Sequence, residues 1–387
     1  MQTNRYINTI VFHHPKNIIY GPGCIGQLVD ELKEKQLKKL YVVTVPVVAE
    51  LITSLLNKIK GSGIEIRMNT EILAEPAFND AERLIEEARQ FGADAVAGIG
   101  GGSVMDTAKI VAAVIGSSQI LSEITGIGLL KSRNIYLTCI PTTSGTGSEV
   151  SPNAILMDDN DYSKKGIISP YLVPDSAYID PALTLGLPPD ITAATGLDAL
   201  THCIEAYTNK FSHPMVDTLA LEGIRLISGS LADAVKDGNN LDARSKMALG
   251  SVYGGMCLGP VNTAAVHALA YPLGSDFKLA HGLSNAVLLP GVMEYNMEAS
   301  PDRYAEVAVA MGCERKVSAR ETAVAGVQMV RSLLDECGLP GCLSEVGVTA
   351  DSIEKMASSA IQVQRLLKNN PREMTINNVK DIYQKAF

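Results

Sequence analysis

Residues 93–109 read ADAVAGIGGGSVMDTAK, and how this stretch is read decides the fold. ADAVAGI (93–99) is a short run of small and apolar residues, the pattern of a strand buried on both faces. VMDTAKIVAAVI (104–115) continues as an apolar helix. Between them stand three consecutive glycines, too costly in chain entropy to be a mere turn. At a strand-to-helix junction the first backbone N–H groups and the helix dipole attract phosphate oxygens, and glycine lets the ligand approach. The spacing is not the Rossmann fingerprint, because counting from Gly98 the third glycine position is Ser103. Nor is it a P-loop, since no Gly-Lys-Ser/Thr follows. Ser103 and Asp106 also match a capping box, so a plain helix start is the alternative.

Outward from this junction the first half keeps the same alternation. KKLYVVTV (38–45), IEIRM (64–68) and NIYLTCI (134–140) have strand character. VVAELITSLLNKIKGSG (47–63) and NDAERLIEEARQF (79–91) carry helical spacing, the first stopped by glycines and the second opened by Asn and Asp. Strands alternating with helices predict a parallel sheet with crossover helices. Past the prolines at 188 and 189 helical periodicity takes over, as in 215–238, 242–259 and 318–338, each ending in glycine. The expectation is an α/β domain over 1–185 and an all-α domain over 186–387. The turn DDNDYSKKG (158–166) reads as a hairpin tip.

Composition narrows the class. A chain of 387 residues exceeds the roughly 250–300 at which one core stops growing, so two domains are expected. Hydrophobic residues make up 46% and charged ones 19%, with no apolar run of the ~20 residues a membrane span needs. The net charge of −9 and the lack of a basic block speak against a nucleic-acid surface. Seven scattered cysteines without a CxxC pair fit free thiols in a reducing cytoplasm. No signal peptide is expected from MQTNRYINTIVFHHPK.

A second loop, PTTSGTGSEVSPNA (141–154), follows the strand at 134–140 and is rich in hydroxyl side chains. Two small polar loops after parallel strands both lie at the carboxyl edge of the sheet, where open α/β folds bind ligands. Together they suggest a dinucleotide site; a hydroxyl-rich surface loop is the plain alternative.

In the helical half, GLDALTHCIEAY (196–207) sets Asp198 and His202 four residues apart, on one helical face. Alone, the pair reads as a core histidine oriented by a carboxylate. AAVHALAYPLGSDFKLAHGLSNAVLLP (264–290) changes this, placing His267 in a helix broken near Pro272 and Gly274, and His281 at the edge of another apolar run. One carboxylate and three imidazoles in apolar surroundings need compensation, which a divalent cation supplies. Oxygen and nitrogen donors without sulfur suit iron, zinc, cobalt or nickel. Cys203 points about 100° away from His202 around the helix and reads as buried. His13, His14 and His213 lie near prolines and read as surface residues.

These motifs, GGGSVMDTAK, PTTSGTGSEV, GLDALTHCIEAY and HALAYPLGSDFKLAHGLSNAVLLP, resemble those of the iron-containing (group III) alcohol dehydrogenases. The resemblance spans nearly the whole chain, from GPG at 21–23 to NPREMTINNVKDIY. It implies a dehydroquinate-synthase-like fold, with an N-terminal nucleotide-binding α/β domain, a C-terminal helical domain and the active site in the cleft between them. It implies that Asp198, His202, His267 and His281 bind iron(II), with zinc as the alternative. Gly100, Gly101, Gly102 and Ser103 would hold the pyrophosphate of NAD or NADP, with Asp106 nearby. Thr142, Thr143, Thr146 and Ser151 would line the cofactor, Lys164 would approach its ribose, and Asn153 would border the substrate pocket. Without the resemblance, Lys164 reads as a solvated hairpin residue. A homodimer is also implied.

Two positions depart from the family pattern. Members commonly show VTDPG, whose aspartate binds the adenosine ribose; here VTVPV places Val45 there, leaving NAD and NADP both open. Many carry a further histidine four residues after the third ligand; here Tyr271 stands in its place, either as a proton relay or as a packing residue. The expected reaction is hydride transfer between NAD(P) and a small alcohol or aldehyde, with the metal as Lewis acid. A glycerol-dehydrogenase-like polyol oxidoreductase and, from another class, a metal-dependent hydrolase are the rivals. A hydrolase would have no use for the two loops.

Overall fold

The structure, a computed structural model, describes residues 7–72, 75–160 and 163–387. Its main sheet has six parallel strands, β1 (Asn17–Tyr20), β2 (Lys39–Val43), β3 (Glu65–Asn69), β4 (Ala95–Gly100), β6 (Tyr136–Pro141) and β9 (Ser176–Ile179). Their order is β1-β9-β6-β4-β2-β3, with every pairing parallel. The strand read at 93–99 is β4, near the middle of this sheet and buried throughout. That is why it lacks alternation: both faces are covered. A smaller sheet joins β5 (Gly126–Ile127), β7 (Asn153–Met157) and β8 (Lys164–Ile168) in the order β5-β8-β7. β7 and β8 are antiparallel and flank the turn read at 158–166, within which residues 161 and 162 lie outside the described residues.

Six helices accompany these strands: α1 (Leu28–Glu34), α2 (Pro46–Leu51), α3 (Thr53–Gly61), α4 (Phe78–Phe91), α5 (Gly102–Ile115) and α6 (Leu121–Ile124). The single helix expected over 47–63 is two, because the Thr53 hydroxyl bonds the carbonyls of Ala49 (3.1 Å) and Glu50 (2.8 Å) where the chain kinks at Ile52. Gly98 and Gly100 owe their identity to packing. A Cβ at Gly98 would lie 2.7 Å from Ala108 Cβ, and one at Gly100 would lie 2.9 Å from Val104 Cβ. Gly101 is open, with Thr143 Oγ1 as its nearest neighbour at 3.7 Å.

The rest of the described chain is helical: α7 (Pro189–Thr208), α8 (Pro214–Ser228), α9 (Leu231–Lys236), α10 (Leu241–Leu258), α11 (Ala265–Phe277), α12 (His281–Met297), α13 (Pro301–Ala310), α14 (Ala319–Glu336), α15 (Ile353–Ala360), α16 (Gln364–Leu367) and α17 (Ile376–Lys385). α7 opens on Pro189, whose missing N–H costs nothing in a first turn, and its middle is buried all round. α8 packs close to α7 through Gly223, where a Cβ would lie 2.5 Å from Cys203 Sγ. The break expected near Pro272 is absent: α11 runs on through it. Proline at 272 removes the N–H that would bond the Ala268 carbonyl, and one turn of the same helix is tied down separately, the Tyr383 hydroxyl donating to the Leu269 carbonyl at 2.6 Å.

The chain forms two compact units. One holds His13–Thr143 and Gly147–Leu185, and the other holds Gly186–Phe387 with the residues up to Phe12 and Ser144–Thr146. The short segment 144–146, read from sequence within the α/β half, joins the helical unit because Gly145 sits on α7. A Cβ there would lie 2.9 Å from Thr195 Cβ. Among the described residues no helix is long and apolar enough to cross a membrane.

Candidate active site

α7 sets Asp198, His202 and Glu205 on one face, at i, i+4 and i+7. α11 brings His267 in its first turn and α12 begins with His281. Asp198, His267 and His281 each place one donor atom within 4.8 Å of the others. Asp198 Oδ1 lies 3.5 Å from His267 Nε2 and 3.6 Å from His281 Nε2. His202 adds its Nε2, 3.0 Å from His267 Nε2 and 3.9 Å from Asp198 Oδ1. The His267 ring meets both others, with centroids 4.7 Å from His202 and 5.2 Å from His281. Asp198, His202 and His267 are buried, whereas the His281 side chain keeps 30% of its surface and forms the accessible edge.

The charges follow from this geometry. Burial pushes the Asp198 carboxyl up, but His202, His281 and the His267 hydrogen bond prevail and hold it well below the usual carboxylate range. Burial pushes His202 down, so it is a neutral imidazole with a lone pair to offer. Burial works the same way on His267, yet Glu205 and then Asp198 outweigh it and lift the ring to about 9.

Two site residues escaped the sequence reading. Glu205 accepts the His267 Nδ1 proton at 2.6 Å. It lies within GLDALTHCIEAY, and its spacing of seven from Asp198 was the signal. Asn285 Nδ2 donates to Asp198 Oδ1 at 2.7 Å and lies 3.2 and 3.3 Å from the Nε2 atoms of His267 and His281. Its spacing of four from His281 was the corresponding clue.

The glycine loop starts α5 with Gly101 as N-cap, and no side chain caps the first turn. The Ser103–Asp106 capping box is therefore not formed: Ser103 lies inside the helix, and Asp106 reaches elsewhere. Asp106 Oδ1 accepts the Ser148 hydroxyl at 2.5 Å and Oδ2 accepts the Ile155 N–H at 2.9 Å. Thr142 N–H donates to the Gly100 carbonyl at 3.0 Å, joining the two loops at the carboxyl edge of β4 and β6. Below them lies Lys109, fully buried and unremarked in the sequence. Its ammonium donates to the carbonyls of Ser151 (3.0 Å) and Asn153 (2.9 Å), and burial pushes its pKa down. Ser151 and Asn153 thus have their backbone tied to α5. Lys164 is not the solvated hairpin residue of the plain reading. Its side chain is 7% exposed and pairs with Glu75, which lies before α4. Thr143 borders Gly101, and Thr146 belongs to the segment grouped with the helical unit. The Tyr271 hydroxyl accepts from Arg365 Nη2 at 3.0 Å. His13 and His14 are exposed, while His213 caps α8 by accepting the Met215 N–H at 3.2 Å.

The chain matches known proteins along nearly its whole length. The profile described as iron-containing alcohol dehydrogenase matches residues 15–181, and that of the C-terminal part of the Fe-containing alcohol dehydrogenase family matches 192–387. The chain belongs to the iron-containing alcohol dehydrogenase family. It is 37% identical over 373 residues to long-chain-alcohol dehydrogenase 1 of Geobacillus thermodenitrificans, covering 95% of this chain and 94% of that one. Its fold is similar to a crystal structure of 1,3-propanediol oxidoreductase, with TM-score 0.95, 30% identity, and 98% and 100% of the two chains covered. It is likewise similar to sulfoacetaldehyde reductase from Bifidobacterium kashiwanohense in complex with NAD+, with TM-score 0.88, 26% identity, and 98% and 99% covered.

This iron-containing alcohol dehydrogenase is thus an oxidoreductase that interconverts alcohols and aldehydes. Its residues fit the metal. One carboxylate oxygen and three imidazole nitrogens, without sulfur, stand 3.0–3.9 Å apart in the pairs given above, a donor set that suits iron(II). Val45 is the N-cap of α2 and makes no side-chain hydrogen bond. Arg67, on the edge strand β3, is stacked on the Phe91 ring at 4.9 Å.

Proposed function

We propose that Asp198, His202, His267 and His281 hold one iron(II) ion, and that the enzyme uses NAD or NADP on a small alcohol or aldehyde. The observation that carries this is the convergence of one carboxylate oxygen and three imidazole nitrogens on the α7 face. Iron, when bound, supplies a Lewis acid that polarises the alcohol or carbonyl oxygen. The dinucleotide supplies or accepts the hydride.

The chain's own residues do the rest. Asp198 offsets the charge of the cation, and the neutral His202 ring gives a lone pair without a proton to displace. Gly101, Gly102 and Ser103, at the uncapped start of α5, hold the pyrophosphate, with Gly100 beneath them packed on Val104. Thr142, Thr143, Thr146 and Ser151 line the cofactor, and Asp106 fixes the second loop through Ser148 and Ile155. Lys164 faces the cofactor ribose and Asn153 borders the substrate. Tyr271 carries the proton, its phenol steadied by Arg365. The division at 185/186 leaves the four metal ligands in the helical part and the glycine loop in the α/β part. The enzyme works as a homodimer in the cytoplasm, a compartment that suits its seven free cysteines.

The test is a screen of iron-loaded protein against primary alcohols, diols, hydroxyacids and their aldehydes, with NAD and NADP in both redox states. Iron-dependent reduction of NAD by at least one small alcohol supports the proposal. Metal-dependent ester hydrolysis with no dinucleotide turnover would sink it.

A further inference from the structure

We propose that Glu205 is a positioning residue of the metal centre, fixing the His267 ring so that Nε2 is the atom offered to the cation. The inference rests on the iron-binding reading above and adds a residue to it. Glu205 is buried, and its carboxylate faces donors alone. Oε2 accepts the Ala264 N–H at 3.0 Å and the His267 Nδ1 proton at 2.6 Å, and Oε1 accepts the Val266 N–H at 2.6 Å. A carboxylate has nothing to donate, so the hydrogen between it and His267 belongs to the ring. Nδ1 therefore keeps its proton against Glu205, and Nε2, 3.5 Å from Asp198 Oδ1, is the nitrogen that gives up its proton when the cation binds.

The two amides belong to the start of α11, the N-cap Ala264 and the second helical residue, Val266. One side chain therefore holds both the ring and the backbone that carries it. The approach to α11 is pinned as well. Asn209 Nδ2 donates to the carbonyls of Val261 (3.0 Å) and Asn262 (3.2 Å), and Asn369 Nδ2 donates to that of Thr263 (2.8 Å). Asn262 itself adopts φ 62°, a left-handed turn that asparagine tolerates. With this segment fixed, the ring's remaining freedom is rotation about its own side-chain bonds, and the Glu205 bond removes it. Because Glu205 follows His202 on the face of α7 that already carries Asp198, one helix sets two ligands and the orienter of a third. A carboxylate behind a metal-binding imidazole also makes it a stronger donor, and losing such a partner costs typically 10–100-fold in metal affinity.

Metal-free protein is titrated with cobalt(II), following the visible absorption of the bound ion, for wild type and Glu205→Gln. Melting of both metal-free proteins is recorded alongside. Glutamine keeps the size but offers one acceptor oxygen where three donors wait. The expected result is one cobalt per wild-type chain, and in the variant roughly 10–100-fold weaker binding with an altered spectrum. Unchanged affinity and spectrum, with only a lower Tm, would overturn the proposal and leave Glu205 a cap of α11. Should the variant not fold, nitrogen NMR of zinc-loaded wild type, labelled at histidine, decides. A His267 proton on Nδ1 supports the proposal, and one on Nε2 overturns it. A wild type that takes up no cobalt would overturn the iron reading and this one with it, whereas tight binding unchanged by the substitution overturns this one alone.

Discussion

Val45, the N-cap of α2 just after β2, has a side chain that neither binds a ribose hydroxyl nor repels a phosphate. Val45→Asp should shift preference towards NADH by about tenfold or more, since like charges brought together cost kilocalories. Aspartate is also among the best N-caps, and Val45 caps α2 without a hydrogen bond, so the substitution should raise the Tm by the equivalent of ~1 kcal/mol. Kinetic comparison of NADH and NADPH with one aldehyde checks the first part; strict NADH use by the parent would place the discrimination elsewhere. Glu149 offers a pH test. Burial lifts its carboxyl to about 7 against an ordinary 4.5, outweighing its backbone hydrogen bond and Lys109. The folded state therefore binds its proton more tightly than the unfolded chain does. The associated stability is complete below about 4.5 and is lost as pH rises through 7. Glu149→Gln should melt near the parent at pH 5 and above it at pH 8, by up to about 3 kcal/mol; a pH-independent difference would refute the assignment. Tyr271→Phe should slow turnover by about 10²-fold or more with iron content unchanged. An unaltered rate and pH profile would make Tyr271 a packing residue. At this scale the cluster of Asp198, His202, His267 and His281 was legible because histidine is scarce and sat in apolar runs. Glu205 was not, because a helical glutamate looks like surface until the segment at 264–266, about 60 residues away, is folded onto it.

The elements were legible where burial alone determines them. β4 and β6 are apolar along their length, and the long helices declare themselves by period and by glycine stops. Breaks were harder to read. The kink at Ile52 coincides with a threonine hydroxyl bonding the carbonyls of Ala49 and Glu50, and α11 runs on through Pro272 although proline usually ends or kinks a helix. Distance between helices was invisible too. α12 opens with His281 directly beside Gly282, where a Cβ would lie 2.2 Å from the Ala194 carbonyl oxygen of α7. Gly282→Ala should therefore push the first turn of α12 off α7 and carry His281 with it. Overpacking of this kind costs about 1–3 kcal/mol, and cobalt affinity should fall by about tenfold. Gly291→Ala in the same helix is the control: its Cβ would meet Ile382 at an ordinary 3.6 Å, and alanine favours the helix. Equal effects of the two substitutions on metal affinity would contradict the close-approach argument.

At the scale of the whole molecule, the alternation before residue 185 and its disappearance afterwards pointed to an α/β part and a helical part, and the structure has both. The membership of 144–146 was not readable, because three residues acquire their allegiance from packing on α7 and not from their own composition. The central claim is that one iron ion, held by Asp198, His202, His267 and His281, makes this protein an alcohol dehydrogenase. The most direct measurement is an anaerobic titration of the metal-stripped enzyme with iron(II), following alcohol-dependent NADH formation. Activity should rise from near zero and break at one iron per chain, and His267→Ala, still folded, should show neither uptake nor activity. Full activity in the stripped protein, or full iron content and turnover in His267→Ala, would contradict the account.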